Sequence, residues 1–185
     1  MHADLVVRAQ RGDEQAFTRL LAPMYDRLHQ IAYRMLRDRH LAEEAVQHAA
    51  LAMWKGLPKL RDPERFEAWS YRLIVNACNS EGRRRKRRSH EVQVAVTPDP
   101  IVRDEYGRIH DRDHLERGFA RLSMDQRAVV VLHHYLDMSV DDVAEVLGIR
   151  PGTARSRLHR AIRHMREALG EEATETAQRP QEASR

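Results

Sequence analysis

The stretch SVDDVAEVLGIRPGTARSRLHRAIRHMREAL, residues 139–169, decides the fold of the second half of the chain. Ser139 followed three positions later by Asp142 has the pattern of a capping box. Val143, Ala144, Val146 and Leu147 make a short apolar face, and Gly148 closes the helix in a turn. Pro151 then stands where a helix can begin without its missing N–H. Ala154, Leu158, Ala161, Ile162, Met165 and Leu169 recur at threes and fours along a longer helix. Two helices joined by so tight a turn are a helix-turn-helix. The outward positions of the second helix are Arg155, Ser156, Arg157, His159, Arg160 and Arg163. Guanidinium groups read guanine or hold phosphates, and a hydroxyl and an imidazole reach base edges, so this face suits a DNA major groove. A helical hairpin with an Arg-rich surface is the plainer alternative. Against it, residues 149–166 hold six arginines and no acid.

Charge is segregated along the rest of the chain as well. The 185 residues carry 32 Lys+Arg against 28 Asp+Glu, a net of only +4. Residues 1–88, however, hold 18 basic and 11 acidic side chains, a net of +7, with six of the bases in the run Arg83-Arg84-Arg85-Lys86-Arg87-Arg88. Residues 89–114 reverse the sign to -3, and residues 115–185 balance at eleven each. Two basic clusters separated by an acidic segment are the footprint of phosphate contact, although charge runs are also commonly solvated faces. An apolar content of 42% excludes a disordered chain, and 32% charged residues exclude one embedded in a membrane. The longest apolar run, residues 128–132, is far short of the roughly 20 that span a bilayer, and the N-terminus lacks a secretory core, so a cytoplasmic protein is expected. One cysteine, Cys78, excludes an intramolecular disulfide and a multi-cysteine zinc site.

Helical periodicity fills the first half. A helix from Leu5 to Gln10 precedes an Asp13 N-cap. Phe17, Leu20, Leu21, Met24, Leu28, Ile31, Ala32, Met35 and Leu36 then line one face of a second helix, with a kink or break expected near Pro23. A third helix over residues 41–56 turns Ala45, Val46, Ala49 and Met53 inward. A fourth starts near Pro63-Glu64 and carries Phe66, Trp69, Leu73, Val75 and Ala77 into the basic run. Periodicity fails from Ser89 to about His110, where Thr97-Pro98-Asp99-Pro100 marks a linker. Val92, Val94 and Val96 alternate there, but a lone strand has no partner, so no sheet is expected. Helices are expected over 113–122 and 125–135, and a loose tail over 170–185. The fold class is therefore all-α: two small helical domains joined by a flexible linker, the second a helix-turn-helix.

QRAVVVL (126–132), LDMSVDDVAEVLGI (136–149) and GTARSRLHRA (152–161) together resemble the promoter -35-binding domain of extracytoplasmic-function (ECF) sigma factors. Gly12-Asp13 with Ala16-Phe17, Leu36-Arg37-Asp38, Glu44-Ala45-Val46-Gln47 with Trp54, and FEAWSYRLIVN (66–76) are similar to the family's domain for core polymerase and the -10 element. The resemblance implies region 2 over 1–88, a linker over 89–112, region 4 over 113–169 and a tail over 170–185. It also implies a subunit that gives core RNA polymerase its promoter choice, bound to promoter DNA and restrained by an anti-sigma factor. No cofactor, metal, membrane or small-molecule substrate enters that picture. Carried over by position, Arg155, Ser156, His159 and Arg160 would read -35 bases, with Thr153 and Arg157 nearer the phosphates. Asn76 would meet a flipped -10 base held by the loop from Leu60 to Phe66, with Tyr71, Arg72, Ser80, Arg83 and Arg84 beside it. Glu43, Glu44, Gln47 and His48 would face core polymerase.

This chain also departs from the family pattern. His48 stands where an acid is usual, Ala50 where Phe is usual, and His133 where an arginine is common, which bears on the polymerase and -35 backbone contacts. Core packing is the better reading of Trp54 and Trp69. Catalysis finds no support: there is no phosphate loop, nucleophile elbow or zinc-protease pair of histidines. His110 and His114 stand four apart, a spacing that eleven histidines produce by chance, and Cys78 reads first as a small buried hydrophobe. The main rival is a dimeric helix-turn-helix regulator, which the missing heptad seam disfavours.

Overall fold

The computed structural model describes residues 2–91 and 118–178, which divide into two compact units. Most of the expected linker, including the alternating valines and His110 and His114, lies outside the described residues, as does 179–185. No strand occurs among the described residues, so the all-α expectation holds. Among them, no helix is long and apolar enough to cross a membrane.

The first unit consists of α1 (His2–Gln10), α2 (Glu14–Leu36), α3 (Arg39–Gly56) and α4 (Phe66–Glu91). Asp13 caps α2 by accepting the Ala16 N–H at 2.9 Å, and Arg8 pairs with the same carboxylate at 2.7 Å; both hold its carboxyl below the usual range. Asp38 caps α3 in the same way, accepting from Leu41 N–H at 3.0 Å. Arg37, left-handed at φ 55, makes the corner between the two helices. Helix α3 packs against both α2 and α4. Leu20, Leu28, Ile31, Met35, Leu36, Ala45, Ala49, Met53, Phe66 and Ile74 are fully sealed between them. Each large apolar side chain so sealed contributes about 1.5–3 kcal/mol.

The structure refines the reading of α2 and α4. Helix α2 runs unbroken through Pro23. An interior proline costs roughly 3 kcal/mol, and the burial of Leu20, Met24 and Leu28 on either side is large enough to offset it. Helix α4 buries a seam of Phe66, Ser70, Ile74, Cys78 and Glu81, whereas Trp69, Leu73 and Ala77 are only half-buried. The seam contains two polar side chains, and Ser70 Oγ satisfies itself by donating to the Phe66 carbonyl at 2.8 Å. Helix α4 is preceded by a 3-10 turn, Pro63–Arg65, and continues past Ser89 to Glu91.

The second unit holds a helical stretch at 118–121, α5 (Met124–Val130), α6 (Val140–Leu147) and α7 (Pro151–Gln178). Ser123 and Gln126 form a reciprocal capping box at the start of α5. Its end widens into a π turn over Val131–Tyr135, closed by the Leu136 N–H on the Val131 carbonyl. Ala128, Val129, Val131, Leu132, Val143, Ala144, Ala154 and Ala161 make the core. Helix α7 continues to Gln178, so the tail expected from 170 is helical for much of its length. Gly170 costs about 1 kcal/mol in a helix, and the glutamates and alanines that follow it are good helix formers.

Candidate nucleic-acid interface

Local chemistry fixes the helix-turn-helix. Ser139 Oγ accepts the Asp142 N–H at 3.1 Å and donates to the Asp142 carboxylate at 2.6 Å, which starts α6. Gly148, at φ 64, takes the left-handed turn that a β-carbon would strain, and the Ile149 N–H closes it on the Ala144 carbonyl at 2.9 Å. Pro151 opens α7. Arg155, Ser156, His159 and Arg160 are all exposed on one side of α7, and Thr153 is half-buried in its first turn.

The arginine face has acidic partners, two of them contributed by other helices. Arg155 pairs with Asp141 of α6 at 3.1 Å, with both side chains about two-thirds exposed, a contact worth little and easily exchanged for a phosphate or a base. Arg157 pairs with Asp125 of α5 at 2.9 Å and is only 27% exposed, so it ties α7 to α5. Arg160 lies back along its own helix, its Nε donating to the Ser156 carbonyl at 3.2 Å. Gln126 and His164, at 3.2 Å, add a second tie between α5 and α7.

In the first unit, Arg72, Asn76, Ser80 and Arg83 follow one stripe of α4 at intervals of four, four and three. Arg72, Asn76 and Arg83 are exposed and Ser80 is half-buried. Leu60 is half-buried in the loop before α4, which Gln10 of α1 pins by donating Nε2 to the Leu57 and Leu60 carbonyls at 3.2 and 2.7 Å. Phe66 and Tyr71, which the resemblance places with the -10 set, are not exposed on this stripe. Phe66 is fully buried, with its ring 6.1 Å from that of Trp69. Tyr71 is 5% exposed; its hydroxyl donates to Glu67 at 2.6 Å and accepts from Arg27 at 2.9 Å. Burial and the Glu67 carboxylate push that phenol up to about 12. Trp54 and Trp69 are half-buried packing residues. Trp54 lies 5.1 Å from Phe17, and a β-carbon at Gly56 would meet Trp69 at 2.9 Å, so glycine there permits the close approach.

The residues expected to face polymerase cluster on α3. Glu43 and Gln47 are exposed, and Glu44 lies 3.6 Å from His40. Glu44, Gln47 and His48 line a groove of about 580 Å³ together with Arg84, Arg87 and Arg88 of α4. The basic run is divided in its duties: Arg84 meets Glu81 at 3.3 Å, and Arg85 donates to the Leu36 carbonyl at 3.3 Å. Sequence reasoning missed Gln10 and Glu81, because both are polar and neither belongs to a motif.

Cys78 is fully buried, and burial pushes its thiol up to about 12, so at neutral pH it carries no reactive thiolate. His133 turns Nδ1 to the Met138 carbonyl at 2.7 Å and lines a small gap with Val129, Val143 and Leu158, so half of its polar capacity is spent inside the fold. Among the described residues, no group of three or more His, Cys, Asp or Glu could hold a metal ion.

Two helical units, one ending in a basic helix and the other in an arginine-faced helix-turn-helix, define a class of bipartite DNA-binding protein. Sigma-70 region 2 matches residues 20–88, and Sigma-70, region 4 matches residues 112–165. The ECF RNA polymerase sigma factor SigM of Mycobacterium tuberculosis is 31% identical over 169 residues, covering 91% of this chain and 85% of SigM. SigW of Bacillus subtilis is 24% identical over 176 residues, covering 89% of this chain and 94% of its own. The solved RpoE of Bartonella quintana, in complex with the anti-sigma factor NepR, superimposes with a TM-score of 0.72 at 25% identity, covering 83% of this chain and 96% of RpoE. The chain belongs to the ECF RNA polymerase sigma factor family. It is a transcription initiation factor that directs core RNA polymerase to promoters.

Proposed function

We propose that the two units divide promoter recognition between them, with α7 reading the -35 element and α4 the -10 element while α3 holds core polymerase. The observation that carries this reading is the face of α7, where Arg155, Ser156, His159 and Arg160 stand exposed on the second helix of a helix-turn-helix. Arg155 and Arg160 reach guanine edges, Ser156 and His159 contact adjacent bases, and Thr153 donates to a phosphate near the start of the helix. Arg157, held by Asp125, sets the tilt of α7 and meets the backbone only from the edge. On the first unit, Arg72, Asn76, Ser80 and Arg83 contact the melted -10 strand, and Leu60 walls the base pocket.

The protein contributes binding and strand separation rather than covalent chemistry, and it works in the cytoplasm, where polymerase and promoter DNA are. An anti-sigma factor is the regulatory partner we assign, on the strength of the NepR complex of RpoE. Selection of promoter fragments by holoenzyme reconstituted from core polymerase and this chain tests the division of labour. The expected product is two unlike motifs at one fixed spacing. A single inverted-repeat motif bound by the chain alone would favour a dimeric helix-turn-helix regulator and overturn the reading.

A further inference from the structure

Among the described residues, Glu81 is the only charged side chain that is fully buried, at 1% exposure. Its Oε1 accepts from His48 Nδ1 of α3 at 3.0 Å and from Arg84 of its own helix at 3.3 Å, while Oε2 has no hydrogen-bond partner. An apolar residue of similar volume would serve stability at least as well as a carboxylate half-satisfied in this way. What the carboxylate achieves is geometric. Both of its partners are about half exposed, and both lie on the groove that Glu44 and Gln47 also line.

We propose that Glu81 is a positioning residue for the polymerase-binding surface, fixing His48 and Arg84 across the α3–α4 groove in the arrangement that core polymerase meets. The assignment rests on the reading of α3 as the polymerase-facing helix. It supplies a reason for histidine at position 48: an acid there would sit beside the Glu81 carboxylate, whereas an imidazole N–H donates to it. It also moves Arg84 from the -10 surface to the polymerase side. The charged groups around His48 are Glu44 on α3 and Glu81, Arg84, Arg87 and Arg88 on α4.

The test is a titration of core polymerase in run-off transcription with the full chain, comparing wild type, Glu81→Gln, His48→Ala and the double variant. Glu81→Gln is expected to raise the half-saturating core concentration about tenfold, the scale of one charge-assisted hydrogen bond, with the plateau at saturating core preserved. If Glu81 acts through His48, the double variant is no weaker than the weaker single variant. His48 is half exposed, so His48→Ala reports on the same surface without disturbing the core. Full additivity of the two changes, or an unchanged midpoint in Glu81→Gln, overturns the assignment while leaving the polymerase reading intact. A wild-type chain with no saturable response to core overturns both.

Discussion

Holoenzyme carrying Arg155→Ala and Arg160→Ala together should lose its preference for the cognate -35 sequence. Each guanidinium paired bidentately with a guanine is worth about 1–3 kcal/mol of discrimination, so the ratio of affinities for cognate and scrambled -35 duplexes should fall about thirtyfold or more. The fold should survive, because the Arg155–Asp141 pair is largely exposed and Arg160 bonds only within its own helix. With α3 as the proposed polymerase-binding helix, affinity for core polymerase should not change. The measurement is holoenzyme binding to the two duplexes at one fixed salt concentration. A preserved ratio would show that α7 does not read bases through these residues.

Phe66→Ala is expected to be the most damaging single substitution in the first unit. Phe66 is fully buried where α4 begins, and truncating a sealed phenylalanine costs about 3–5 kcal/mol, a large share of the roughly 5–15 kcal/mol that holds a domain together. Thermal melting followed by circular dichroism should show the loss. Phe66→Leu refills most of the space and should restore both the melt and promoter opening. If the Leu variant melts normally yet fails to open a promoter, Phe66 touches the -10 strand and its placement in the core is wrong.

The helix-turn-helix was legible because its punctuation is local: Ser139 with Asp142, Gly148 and Pro151 each act within a few residues, and the structure uses them as read. The exposed stripe of α4 that we propose for the -10 element was legible in part. Arg72, Asn76, Ser80 and Arg83 follow from helical spacing, but Phe66 and Tyr71 share that sequence and face the core, where Ser70 and Glu81 disguise the apolar period. Pairings between distant positions were not legible. The six arginines of 149–166 look acid-free along the chain, yet Asp125 and Asp141 reach Arg157 and Arg155 from neighbouring helices. Pro23 does not break α2 for a related reason, since its local cost is offset by tertiary burial that no short window contains.

Run-off transcription with purified core polymerase, with and without this chain, on the promoter that reconstituted holoenzyme selects, tests whether the chain confers promoter-specific initiation. A discrete transcript is expected that requires both the chain and the core enzyme and disappears when either promoter element is scrambled. Tight binding of the chain to duplex DNA on its own, with no promoter-specific transcript from core, would contradict it.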